Sequence, residues 1–180
     1  MRIVGGKYRG KKLFEPKNYD IRPTADRARE SIFNVLYSAI GGVENRKVLD
    51  VFAGTGALGL EALSRGASRV CFVDKNIELV LKNVALFPLE KDKIDVLCAD
   101  VTKTLRIKGQ YDLIFSDAPY DHGLSEEALK ILASKGNIAP GAICIVETRH
   151  NEGIDLPPSF ELFDERVYGM AKMRLYTFCS

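Results

Sequence analysis

The chain has 180 residues, 46% hydrophobic and 28% charged: enough to bury a core, with no apolar run of membrane-spanning length. Its net charge of +2 hides an asymmetry, because residues 1–30 carry nine Lys or Arg against four Asp or Glu, joining a +5 segment to a body of −3. That distribution suits a polyanionic partner or a solvated face, and the polar, basic start (Met1 to Lys12) lacks the apolar core of a secretory signal, so a cytoplasmic location without membrane contact is expected.

The basic segment holds Arg2, Lys7, Arg9, Lys11 and Lys12, interleaved with Gly5, Gly6, Gly10, Tyr8 and Phe14. Glycines let backbone follow a phosphate chain, cations neutralise it and an aromatic face stacks on an unpaired base, so RNA is the expected partner. The alternation also suits a small β-hairpin turning at Gly5-Gly6 or Gly10. Ile21-Arg22-Pro23-Thr24 then breaks the chain. A helix is expected to follow, with Thr24 as N-cap, the apolar stripe Ala28, Ile32, Val35, Leu36 and Ala39, and an end at Gly41-Gly42. Its opposite side presents Arg22, Arg27 and Arg29 to RNA phosphates or to solvent. Residues 1–42 thus form a basic, RNA-facing extension and residues 43–180 the main domain.

From Arg46 the pattern alternates strictly. Strands are expected near 47–52, 69–74, 93–98, 111–117 and 141–147, with helices near 57–65, 76–87, 101–106 and 124–135. Apolar strands separated by helices imply a parallel sheet covered on both faces. After Pro157-Pro158, two strands near 160–168 and 173–179 joined at Gly169 suggest a closing antiparallel hairpin. The fold class is therefore α/β, doubly wound and Rossmann-like. Cys71, Cys98, Cys144 and Cys179 form no C-x-x-C pair, and only His122 and His150 accompany them. No metal site is expected, and the thiols are read as buried and free.

The first strand runs into Asp50-Val51-Phe52-Ala53-Gly54-Thr55-Gly56, and a helical pattern starts at once. Gly54 and Gly56 permit positive φ and close approach of backbone to a ligand, while Gly59 lets the helix pack tightly on the strand. The second strand ends in Asp74, followed by Lys75, where an acid accepts ribose hydroxyls. The glycine spacing alone also fits a dinucleotide site. Asp50 separates the two: an acid inside the strand can hold the glycine loop from below and can meet a ligand ammonium, which S-adenosylmethionine (AdoMet) has and NAD lacks. Its alternative role is a cap with no ligand contact. Asp100, closing the third strand, accepts from an adenine amino group or caps the next helix.

Asp117-Ala118-Pro119-Tyr120 closes the fourth strand. An aromatic amine is a poor nucleophile because its lone pair is delocalised. Acceptors at Asp117 and at the Ala118 carbonyl, with Tyr120 stacked on the base, would hold both amine hydrogens and leave the lone pair aimed at a methyl donor; alignment then does most of the catalysis. A purely structural turn is the alternative.

Asp-Ala-Pro-Tyr resembles the Asp-Pro-Pro-Tyr motif of AdoMet-dependent amine methyltransferases. Together with Met1 to Gly10, Arg22 to Glu30 and Asp50 to Gly56, it makes the chain resemble, over nearly its full length, the RsmD family of 16S rRNA guanine-N2 methyltransferases. The first two of those stretches are specific to the family. The resemblance implies a seven-stranded, mostly parallel class I methyltransferase fold and an AdoMet site including Asp50, Phe52, Ala53, Gly54, Thr55, Gly56, Asp74, Lys75 and Asp100. It also implies methylation of a guanine N2 amine in 16S rRNA, within a partly assembled small ribosomal subunit. One departure is Ala118, where the family usually has proline; a looser loop with surviving activity is expected. Competing readings are a methyltransferase acting on adenine N6 or glutamine, a non-catalytic RNA-binding assembly factor, and a dehydrogenase. The absence of a separate target-recognition domain counts against sequence-specific DNA.

Overall fold

Runs such as Val48-Leu49 and Val70-Cys71-Phe72-Val73 are apolar at every position, so both faces of their strands must be covered. In a computed structural model, which describes residues 1–16, 23–103, 106–120 and 122–179 (23–25 as backbone only), they are the centre of one seven-stranded sheet. The strands are β1 (Lys47–Val51), β2 (Arg69–Asp74), β3 (Ile94–Cys98), β4 (Tyr111–Ser116), β5 (Ile138–Arg149), β6 (Phe160–Tyr168) and β7 (Ala171–Phe178). Their spatial order is β3-β2-β1-β4-β5-β7-β6. The first five are parallel; β7 runs antiparallel between β5 and β6, as the closing hairpin requires.

Successive side chains leave a strand on opposite faces, and that separates two cores. Val48, Phe72, Leu113 and Phe115 pack with α1 (Pro23–Ile40), α2 (Ala57–Ser64) and Val80 of α3 (Glu78–Val84). Leu49, Val51, Cys71, Val73, Ile114 and Cys144 pack with α4 (Leu124–Ser134). Each fully buried Leu, Ile or Phe contributes about 1.5–3 kcal/mol relative to exposure.

The N-terminal segment belongs to the first of these cores: Ile3, Leu13, Phe33 and Leu36 are buried in it, and the Phe33 and Phe115 rings lie 5.7 Å apart. The expected hairpin is reduced to a single antiparallel bridge, Arg2 to Lys12. The loop between turns into the body instead, where the Lys7 amide donates to the Ser64 carbonyl (2.8 Å) and the Tyr8 amide to Ser64 Oγ (2.9 Å). Gly6 makes this approach possible, with φ +76° and only 2.0 Å between a hypothetical Cβ and the Ser64 carbonyl oxygen.

Two expectations need correction. The helix expected near 101–106 is a turn over 101–103, with residues 104 and 105 outside the described part. Asp100 accounts for it: Oδ1 accepts from Thr102 N–H (3.0 Å) and Thr102 Oγ1 (2.7 Å), a side-chain turn that competes with helix formation. Cys71 and Cys144 are buried as expected, but Cys98 and Cys179 are exposed because each lies at the end of its strand.

Candidate active site

The sheet order reverses between β1, which leads outward to β2, and β4, which returns on its other side. At such a switch point the carboxyl ends of two adjacent strands open a crevice. Val51 pairs with Ser116, so Phe52–Gly56 and Asp117–Tyr120 leave neighbouring strands side by side.

The glycine loop is wound through positive φ at alternate residues: Phe52 (58°), Gly54 (57°) and Gly56 (77°). At Phe52, a non-glycine residue, this is strain of about 1–3 kcal/mol that neighbouring contacts must hold. Asp74 holds the loop through Oδ2, which accepts the Gly54 amide at 2.9 Å, while Oδ1 accepts from Asn76 at 2.9 Å. Ala53 anchors to the Val73 carbonyl (3.2 Å), and Gly56 closes the turn on the Ala53 carbonyl (2.7 Å). Asp50, 1% exposed, accepts from the amide of Gly59 in the first turn of α2 at 2.9 Å, so it caps the helix behind the loop. Thr55 is tied to the N-terminus, its Oγ1 donating to Met1 Sδ at 3.6 Å.

Carboxyl groups crowd the crevice and resist ionising together. Burial holds the Asp50 carboxyl well above the ordinary carboxylate range, and the nearby charges of Asp117 and Asp74 push it further, against the Gly59 hydrogen bond that lowers it. Asp117 is raised to about 7, chiefly by desolvation and then by Glu147. Its side chain still touches crevice solvent, which screens part of that effect. Asp100 is lowered to about 2 by its Thr102 hydrogen bond first, and also by Lys75, whose Nζ lies 3.1 Å from Oδ2.

Tyr120 is fixed by β5. Its hydroxyl donates to Glu147 Oε1 at 2.5 Å, and the Arg149 guanidinium lies over its ring at 5.9 Å. Ala118 is buried, while Asp117 and Pro119 are exposed. Sequence reasoning missed Glu147 and Arg149, although both stand at the carboxyl end of a parallel strand, where polar residues face a crevice rather than a core. It also missed Asn83 and Glu61, both fully buried. Glu61 accepts from the amides of Val4 (2.9 Å) and Gly5 (2.8 Å) and pairs with Arg65 (2.8 Å), which fastens the basic segment to α2.

The cations of that segment divide. Arg9, Lys12 and Arg27 are exposed, and Arg2 is exposed beside Asp26 (3.6 Å). Lys7 pairs with Glu90 at 2.8 Å, and Lys11 lies over the Phe87 (4.8 Å) and Tyr8 (5.5 Å) rings. Arg29 cannot face RNA: it is 4% exposed, bonded to the Arg2 carbonyl and to Asp26, and 3.6 Å from Glu61. The reason is its position on the same face of α1 as Ile32, Phe33 and Leu36, turned toward α2. Arg22 lies outside the described residues.

The crevice fits AdoMet better than a dinucleotide. Loop amides, a strand-end Asp74 with lone pairs to spare and clustered carboxyl oxygens suit a ribose and a cationic amino-acid tail, both rich in donors, whereas a pyrophosphate has only acceptors to offer them. Among the described residues, no cluster of three or more His, Cys, Asp or Glu is arranged to hold a metal, and no helix is long and apolar enough to cross a membrane.

The family model described as conserved hypothetical protein 95 matches residues 1–177. Ribosomal RNA small subunit methyltransferase D of Escherichia coli (strain K12) is 36% identical, with 98% of this chain and 89% of that protein covered. The Haemophilus influenzae protein of the same name is 34% identical, covering 98% and 93%. The solved structure of yhhF from Escherichia coli superposes with a TM-score of 0.85 at 32% identity, covering 100% of this chain and 98% of that one.

Proposed function

The chain belongs to the ribosomal RNA small subunit methyltransferase D (RsmD) family, and on that premise we propose that it transfers a methyl group from AdoMet to ribosomal RNA, at the exocyclic N2 amine of a guanine in 16S rRNA. The observation that carries this reading is the juxtaposition, on adjacent strands, of the glycine-loop crevice and the Asp117–Tyr120 loop.

AdoMet, when bound, supplies an electrophilic methyl group. Asp74 and Asp100 would take its ribose and adenine, the Gly54–Gly56 backbone would lie against it, and the carboxyl oxygens of Asp50 and Asp117 would offer acceptors to its cationic end. The chain's own work is alignment. Asp117 and the Ala118 carbonyl accept the two amine hydrogens, which localises the lone pair on one side of the nitrogen. Tyr120, locked by Glu147, offers its ring to the base. Asp117, with its carboxyl raised to about 7, can take up the proton that leaves the nitrogen near neutral pH. The exposed Arg2, Lys7, Arg9, Lys12 and Arg27 face the RNA phosphates, in free 16S rRNA or in a partly assembled small subunit.

The test is transfer of labelled methyl from AdoMet to 16S rRNA, followed by nucleoside mass spectrometry. N2-methylguanosine is expected. Label in N6-methyladenosine or in protein would overturn the guanine assignment, and no AdoMet binding at all would leave a non-catalytic RNA-binding factor.

A further inference from the structure

Three of the contacts that hold the glycine loop come from the β1–α2–β2 unit itself. A fourth comes from α3 and reaches further. Asn83 is fully buried, and its Nδ2 donates to the Thr55 carbonyl at 2.8 Å and to the Phe14 carbonyl at 3.1 Å, while its Oδ1 accepts the Phe14 amide at 2.7 Å. The partners fix the amide's orientation, since a backbone N–H can only donate and a carbonyl only accept. One side chain therefore satisfies the end of the basic segment and the middle of the cofactor loop together. A second link runs in parallel, from Thr55 Oγ1 to Met1 Sδ, and the Met1 ammonium in turn pairs with Glu15. Between these two ties lie the exposed cations Arg9 and Lys12.

We propose that Asn83 is a positioning residue that makes the N-terminal segment part of the cofactor site, so that ordering of this segment by RNA and seating of AdoMet on the glycine loop favour one another. This rests on the AdoMet and RNA reading above. The physical basis is a shared cost. The loop is strained at Phe52, and a buried amide that loses one partner must strand a polar group, so the loop and the segment are held or released together. Coupling of this kind is reciprocal: whatever orders one end raises affinity at the other by the same factor, commonly 5- to 150-fold.

The test uses the full chain with two substitutions. Asn83→Leu keeps the branching at Cγ, with bulkier methyl groups, and removes all three bonds; Asn83→Asp keeps the acceptor for Phe14 N–H and removes both donors. AdoMet affinity is measured by calorimetry, and amide hydrogen exchange over residues 2–14 is followed with and without S-adenosylhomocysteine. The wild type is expected to show ligand-dependent slowing at Phe14 and Ile3. Both variants are expected to bind AdoMet about 10-fold more weakly and to show slowing in the glycine loop only. A merely structural Asn83 would lower the melting temperature yet leave that transmitted protection in place, and this result, like unchanged affinity, would overturn the proposal. If Asn83→Leu does not fold, Phe14→Pro removes the same amide proton from the other partner, with Phe14→Ala as its control. A wild type that ignores AdoMet would sink the cofactor reading itself, whereas a binding wild type with indifferent variants sinks the coupling alone.

Discussion

Gly59 sits where α2 crosses the sheet, and replacing it with alanine tests how tightly the cofactor loop is mounted. A Cβ there would lie 2.3 Å from Cε1 and 2.8 Å from Cζ of Phe72, and 2.8 Å from Cγ1 of Val70. Both neighbours are fully buried on the sheet surface, so neither can swing away and the helix must lift. Overpacking of this kind costs about 3 kcal/mol at the upper end of its usual range. The better helix propensity of alanine returns about 1 kcal/mol, leaving a net loss of about 2 kcal/mol. For a domain of this size that is a fall in Tm of about 4–8 °C. AdoMet affinity should fall too, because the lifted helix carries Gly54–Gly56 at its N-terminus. Urea unfolding and thermal melts measure the first effect, with Gly153→Ala as the control. Gly153 has ordinary φ and no neighbour within 4 Å of a Cβ, so alanine there should be neutral or stabilising by up to about 1 kcal/mol. A Gly59→Ala protein as stable as the wild type would refute the close-packing argument.

Three further outcomes follow from the site. Glu90 is lowered to about 2 by hydrogen bonds from Lys7, Lys93 and Tyr8, so its contribution is present above the unfolded value of about 4.5 and lost as pH falls toward 2. Glu90→Gln should therefore cost about 1–2 kcal/mol at pH 7, discounted because Lys7 and Lys93 are 61% and 51% exposed, and the gap to wild type should close in acid unfolding curves. With its carboxyl raised to about 7, Asp117 is protonated below that pH and loses acceptor capacity, so kcat/KM should climb with pH through about 7; a flat profile whose rate is set by chemistry would exclude Asp117 as the acceptor. Ala118→Pro should raise turnover by tightening the loop, and unchanged or lowered turnover would show that alanine leaves it no looser.

Much of this molecule was legible in its residues. Continuous apolar runs and period-3.6 patterns located the strands and most helices, since a sheet covered on both faces tolerates only apolar runs, and the left-handed turns of the cofactor loop were written in Gly54 and Gly56. The family motifs also located the loop after the fourth strand. Two roles, however, depend on distant partners. Arg29 is buried against Asp26 and Glu61, and Asn83 joins residues 14 and 55. A polar residue's local pattern states only that it can bond. Which groups it meets is decided when segments far apart in the chain are packed together, because burial requires every such group to find a partner.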